Sequence, residues 1–292
     1  MSTKSARITK SKPRAGGGLA VDWSKHETLH KSWARAHVTD HEPWPDESLI
    51  KRLAARNAQF DSWLSSQESV AALAEGLQEA WRQFHAGEFA KAIAAAHKLG
   101  PLGSVVANKA TAVDTLYSTR NQAQILKVLE AAIARGEGAI QMLDEHANAH
   151  YTLALVLGRY SQRISIMTAL AEGLGGRIRR HLERVLELEP RHAEAHLALG
   201  LYHAEIVGKL GSLAAGVAYG ASRDAAVEHF QRAVKLAPHS PIVLMEDAYG
   251  LLLLNKDGNR EQARARYEQA AECEPFDAME RLYVVHARAG LE

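Results

Sequence analysis

The sequence of 292 residues has one cysteine (Cys273), 6% aromatic residues and a net charge of only +1. A single cysteine excludes a disulfide framework and a zinc module built from cysteines. With a net charge near zero, the sequence lacks the excess of basic residues that is typical of dedicated nucleic-acid-binding proteins. No run of about 18 or more apolar residues is present, and the basic start of the chain lacks the apolar stretch of a signal peptide. We therefore expect no nucleic-acid partner, no membrane insertion and a cytoplasmic location.

The sequence is rich in Ala, Leu, Glu and Arg, which favour helices, and it contains a repeat. Three segments carry a small or aliphatic residue, then a bulky residue four positions later, then another small or aliphatic residue three positions later. A proline follows five positions after that. This spacing puts the side chains on one helix face, and the proline ends the helix. The positions are Ile178, Leu182, Val185 and Pro190; Ala226, Phe230, Ala233 and Pro238; and Ala263, Tyr267, Ala270 and Pro275.

Another helical pattern precedes each of these segments, opening near Ala147, Ala193 and Ser240. The middle pattern contains Leu199-Gly200, where two helices would cross closely. A Leu-Gly helix followed by an Ala-x3-Phe-x2-Ala-x4-Pro helix resembles the tetratricopeptide repeat over residues 147–275. The resemblance implies an all-α solenoid of antiparallel helix pairs with a concave groove.

Five parts follow from these patterns: a disordered basic tail (1–20), an N-terminal helical cap region (21–75), degenerate repeat-like helices (76–146), the repeats (147–275) and a C-terminal capping helix (276–292). Caps are expected because the ends of a solenoid must be covered. An exposed tryptophan cluster that binds a partner is the alternative interpretation of the N-terminal region. Its tryptophans are Trp23, Trp33, Trp44 and Trp63.

Two repeat units are longer than the usual period of about 34 residues, with apolar insertions at 159–176 and 205–222. Such enlarged units resemble those of a helical-repeat component of some periplasmic solute transporters and of the family named for regulation of microtubule dynamics. One interpretation is that the insertions thicken the core. The alternative is that they form a pocket for a small hydrophobic ligand or a lipid. The side chains facing that pocket would be Leu170, Leu174, Leu213, Val217 and Tyr219.

The resemblance also implies that the first helix of each pair lines the groove. We therefore predict a non-enzymatic scaffold that binds a protein, as a peptide or a partner helix, and needs no cofactor; a homo-oligomer remains open. The groove positions are mostly apolar or acidic, which argues against the basic clamp of chaperone-binding relatives. The predicted binding residues are Tyr151, Leu155, Leu197, Leu201, Met245 and Tyr249.

Fifteen histidines are present, and residues 26–30 match the zinc-protease string H-E-x-x-H. On a helix, His26 and His30 would bind one zinc ion while Glu27 polarises a water molecule. A zinc hydrolase is therefore a remote alternative function. The flanking residues Lys25 and Lys31 and the lack of a third-ligand pattern instead favour a surface helix with no metal.

Other histidines fall at equivalent positions of successive repeats. His150 corresponds to His196, and His181 corresponds to His229. A metal site between His150 and His196 is one interpretation, and partly buried histidines that only pack is the other.

Overall fold

A computed structural model describes residue 19 and residues 21–117 and 120–291. The tail at 1–20 lies outside the described residues except for Leu19, and so does the side chain of His26. The described residues form helices and no strands, which confirms the predicted all-α class. The helices are α1 His26–Ala36, α2 Glu47–Ala54, α3 Ala58–Ser65, α4 Val70–His85, α5 Phe89–Ala96, α6 Ser104–Tyr117, α7 Gln122–Ile140, α8 Ala147–Ser161, α9 Ile166–Ala171, α10 Leu174–Leu188, α11 Ala193–Leu210, α12 Ser212–Tyr219, α13 Arg223–Leu236, α14 Pro241–Leu254, α15 Arg260–Glu272 and α16 Ala278–Ala289, with a 3-10 segment at His97–Gly103.

The helices pack mainly as consecutive pairs, as in a solenoid. The pairs are α4 with α5, α6 with α7, α8 with α10, α11 with α13 and α14 with α15, and α16 follows the last pair. The second helices α10, α13 and α15 each end just before one of the three prolines. Residues 159–176 and 205–222 lengthen α8 and α11 and add the short helices α9 and α12. An extra helix therefore separates the two helices of each enlarged unit.

The N-terminal segment, residues 21–46, lies against the first helices of the solenoid rather than covering only its first repeat. Arg82 of α4 donates to the backbone oxygen of Trp23 (2.9 Å). At the other end of the solenoid, Arg35 pairs with Glu280 of α16 (2.8 and 3.2 Å). Trp23 and Trp33 are both buried, so these two tryptophans of the N-terminal region do not form an exposed aromatic cluster. Because α4 also contacts α16, the solenoid curves around this segment.

The ring of Phe230 on α13 fills the crossing between α11 and α14. A Cβ atom built on Gly200 would lie 2.7 Å from Cε1 of this ring, and one built on Gly250 would lie 2.2 Å from its Cζ. Both distances are far below van der Waals contact. The two glycines are therefore required for close approach of the helices, as the sequence predicts for Gly200.

We predict that Gly250→Ala lowers the free energy of unfolding by about 1–3 kcal/mol, because the buried ring must move to accept the methyl group. The matched control is Gly208→Ala. Gly208 is exposed in α11 with nothing within 4 Å of the added Cβ, so this change should stabilise by about 0.5–1 kcal/mol. Urea denaturation measures both changes. A Gly250→Ala protein as stable as the wild type would contradict the packing described.

Candidate functional site

A buried ion pair joins the N-terminal segment to the middle of the solenoid. The ammonium group of Lys109 on α6 donates to the Asp40 carboxylate and lies 3.4 Å from Glu194 Oε1 on α11. Thr39 donates to the same Glu194 oxygen (2.5 Å), and Tyr151 of α8 donates to the other (2.8 Å). All five side chains are buried. This cluster, which we call the buried network, connects the segment to three first helices.

Two histidines extend the buried network towards α16. His37 Nδ1 lies 2.9 Å from Asp40 Oδ1, and His85 Nδ1 lies 2.7 Å from Asp277 Oδ2. The Nε2 atoms of the two rings are 3.2 Å apart. Burial lowers the pKa of His85, while its contact with Asp277 acts in the opposite direction. The two buried rings thus link the carboxylates of Asp40 and Asp277.

The charges of the network hold each other in place. Burial alone would raise the pKa of Asp40, but Lys109 and His37 together hold that pKa well below its usual range. Burial lowers the pKa of Lys109, and Asp40 and Glu194 more than reverse this, so the pKa is raised above its ordinary value. Asp40 and Lys109 are therefore both charged at neutral pH.

We predict that Lys109→Met lowers the free energy of unfolding by about 3–5 kcal/mol, because it leaves two buried carboxylates without their cation. Lys51→Met is the control, since Lys51 makes an exposed pair with Glu47 (2.8 Å). That change should stay within about 0.5 kcal/mol of the wild type. Chemical denaturation measures both. Equal changes in the free energy of unfolding for the two substitutions would show that the buried pair stabilises the protein no more than the exposed pair does.

A cavity of about 290 Å³ occupies the part of the concave face that the N-terminal segment leaves free. Its walls come from α6, α8, α11, α14 and α16 and from the inserted helix α9, the start of α10 and the end of α12. Most of the lining side chains are apolar. The polar ones include Tyr117, Arg159, Glu205, Lys209 and Glu246. Tyr151 and Glu194 line the cavity as well as belonging to the buried network.

The structure brings together the two sets of residues that the sequence analysis assigned to separate sites. Five of the six predicted groove residues line this cavity, and so do three of the five predicted pocket residues. The groove and the insertion pocket are therefore one space. Whether it binds anything stays a prediction. The residues placed there are Tyr151, Leu155, Leu197, Leu201, Tyr249, Leu170, Leu174 and Tyr219.

Three predicted positions lie elsewhere. The cavity face of α14 consists of Ile242, Glu246 and Tyr249, spaced by four and three residues, so Met245 falls beside that face and packs against the hydrophobic core. Leu213 and Val217 lie on the side of α12 that faces solvent, each 84% exposed. The prediction that these two residues face the pocket was therefore wrong.

The zinc-protease string lies on α1, where Leu29 is buried while Glu27 and His30 are exposed. The ring of His30 packs edge-on against Trp44 at a centroid distance of 4.6 Å. The side chain of His26, the other predicted ligand, lies outside the described residues. Within the described part of the chain, no group of three or more His, Cys, Asp or Glu side chains is arranged to hold a metal ion.

The repeat histidines pair within each unit rather than between units. His150 Nδ1 lies 3.0 Å from His181 Nδ1, and His196 Nδ1 lies 2.9 Å from His229 Nδ1. The Nε2 atoms of His150 and His196 each face a backbone carbonyl, of Asp144 (3.0 Å) and Pro190 (3.2 Å). Each pair thus joins the first and second helix of its unit. The interpretation of a metal site between His150 and His196 was wrong.

These pairs predict loss of stability in acid. Burial, and next the neighbouring histidine, lower the pKa of both His181 and His229 to about 4, against about 6.5 in an unfolded chain. Between these values the unfolded chain binds more protons, so the free energy of unfolding falls as the pH is lowered through this window.

We expect His181→Gln to reduce the loss of melting temperature between pH 7 and pH 5 by about 2–4 °C, which corresponds to roughly 1 kcal/mol after screening by solvent. His239→Gln, at an exposed histidine, is the control and should leave the loss unchanged. Thermal denaturation at both pH values measures it. An unchanged pH dependence in His181→Gln would contradict the assignment.

Several residues of the site were not predicted, chiefly Asp40, Lys109 and Arg159. For Lys109 a signal existed, since it is a lone cation within the apolar run of α6. For Asp40 none existed, because its partner is 69 residues away.

Residues 103–289 match the family model described as regulator of microtubule dynamics protein 1-3. The chain belongs to this family. The matched region contains every residue that lines the cavity, whereas the N-terminal segment and Asp40 precede it. No curated protein matches the chain.

For this member of the regulator of microtubule dynamics family, the tetratricopeptide resemblance of residues 147–275 stays a prediction, because the matching model is that of the former family. Among the described helices, none is long and apolar enough to cross a membrane.

Proposed function

We propose that the protein binds an elongated hydrophobic ligand in the cavity, and that its role is binding rather than catalysis. The observation that carries this proposal is the mostly apolar cavity that lies between the first helices and the two insertions. Pockets for small ligands are typically concave and mostly apolar, with a few polar groups. The cavity volume lies near the lower end of the range known for such pockets.

The N-terminal segment supports a small ligand over a long peptide. A peptide lying along the whole groove would need the space that Thr39 and Asp40 already occupy. Glu194 donates its backbone N–H to the backbone oxygen of Thr39 (3.2 Å). Asn148 donates its side-chain amide to the backbone oxygen of Asp40 (2.9 Å). The backbone of the segment thus takes up the donors that a bound peptide would use.

The test is titration with 1-N-phenylnaphthylamine, an uncharged probe that fluoresces in apolar surroundings. Ala198→Trp places a large side chain in the cavity wall and should abolish the fluorescence rise. Leu170→Gln, on the partly exposed α9, should lower the affinity several-fold by removing apolar contact. Both residues line the cavity.

Leu213→Gln is the matched control, because Leu213 belongs to the other insertion but faces solvent. It should bind the probe as the wild type does. A wild type that gives no saturable signal, or an Ala198→Trp protein that folds and binds equally well, would refute the proposal. Native mass spectrometry of freshly purified protein provides a second readout, since a bound hydrophobic molecule adds its mass.

A protein partner is the second candidate. Membership of a family named for the regulation of microtubule dynamics points to protein interaction in general. The exposed side chains of Met167, Leu213 and Val217 on the two inserted helices offer apolar surface for such contact. A scaffold role predicts that a specific protein is recovered with the wild type and lost with Tyr249→Ala. Recovery of the same proteins by both would argue against the groove as the contact.

A further inference from the structure

Arg159 is a cavity residue without a partner. It lies on α8 in the same stripe as Tyr151 and Leu155, at spacings of four, and lines the cavity with them. Its Nε atom is buried and has no hydrogen-bond partner. Within the described part of the chain, neither a hydrogen bond nor an ion pair engages the rest of its guanidinium group. A guanidinium is always charged and carries five donors, so leaving it unpaired beside an apolar wall is costly.

The carboxylates of the cavity wall are engaged elsewhere. Glu205 pairs with Lys209 (2.9 Å), and Glu246 accepts from the hydroxyl of Tyr283 (3.1 Å). Burial raises the pKa of Glu246, and the charge of Arg159 acts in the opposite direction without contact between the two groups. Arg159 therefore influences its surroundings at a distance while its own donors stay open to the cavity.

We propose that Arg159 binds the anionic head of an amphipathic ligand whose hydrocarbon chain fills the cavity. This inference rests on the proposed function and adds the ligand class to it. The planar fork of a guanidinium suits two oxygens of a carboxylate or a phosphate, and such charge-assisted bonds are the strong ones. The shared chemistry is an apolar chain that ends in an oxyanion.

The experiment measures displacement of 1-N-phenylnaphthylamine at pH 8 by three compounds with the same chain: oleic acid, oleoyl lysophosphatidic acid and oleyl alcohol. The wild type should bind the two anions at least about tenfold more tightly than the alcohol. Arg159→Gln should lose this preference while keeping its affinity for the alcohol. Arg159→Lys should keep part of it. The stronger of the two anions identifies the head group as a carboxylate or a phosphate.

Lys209→Gln is the matched control. Lys209 is also a cation of the cavity wall, but Glu205 already neutralises it, so the preference for anions should survive within about twofold. Equal binding of acid and alcohol by the wild type would overturn this inference and leave the hydrophobic cavity intact. An equal loss for all three compounds in Arg159→Gln would also overturn it. Failure of every compound to displace the probe would instead count against the proposed function.

Discussion

The ion pair between Asp40 and Lys109 is the constraint on which the rest of the structure depends. Removing two charges from water costs several kcal/mol for each, and the interior compensates for this only if the remaining donors and acceptors are also satisfied. His37 and Glu194 supply those contacts from opposite sides. The N-terminal segment cannot leave the concave face without separating buried charges. Its position is therefore part of the fold, and the segment occupies part of the groove.

The buried network also shapes what is left of the groove. Glu194 and Tyr151 belong to the network through their polar atoms and to the cavity through the surface of their side chains. Burial, followed by the charge of Glu194, raises the pKa of Tyr151 well above its ordinary value, so the phenol remains a hydrogen-bond donor. This end of the cavity is consequently set before any ligand arrives. A preformed site loses less conformational entropy on binding than one that must be assembled.

The local part of this architecture could be predicted from the sequence, and the long-range part could not. The prolines and the small residues at helical spacing predicted where α10, α13 and α15 end. This succeeded because proline ends a helix through contacts within one or two turns of it. The choice of Met245 over Glu246 failed since α14 is apolar on nearly all sides, and its sequence does not reveal which face is inward. The prediction for Leu213 failed for the same reason, because α12 has no charged residue to show which of its faces meets solvent. The contact between Asp40 and Lys109 depends on the path of the chain between them. No repeating pattern in the sequence predicts such a contact.

Comparison of the repeat units with one another separates structural positions from specific ones. The histidine pairs between first and second helices recur in two units with nearly the same geometry, 3.0 and 2.9 Å between Nδ1 atoms. The charged positions that face the cavity do not recur, although Leu155 and Leu201 occupy equivalent places on its wall. Arg159 and Glu205 occupy equivalent positions of the first helices α8 and α11. Arg159 lies eleven residues after Asn148, and Glu205 lies eleven residues after Glu194, the corresponding residue of the next unit. Packing between paired helices is a requirement that every unit must meet, so duplication preserves it. The inner face of the solenoid meets a different neighbour in each unit, so residues of opposite charge stand at equivalent positions of two units and make the cavity wall asymmetric.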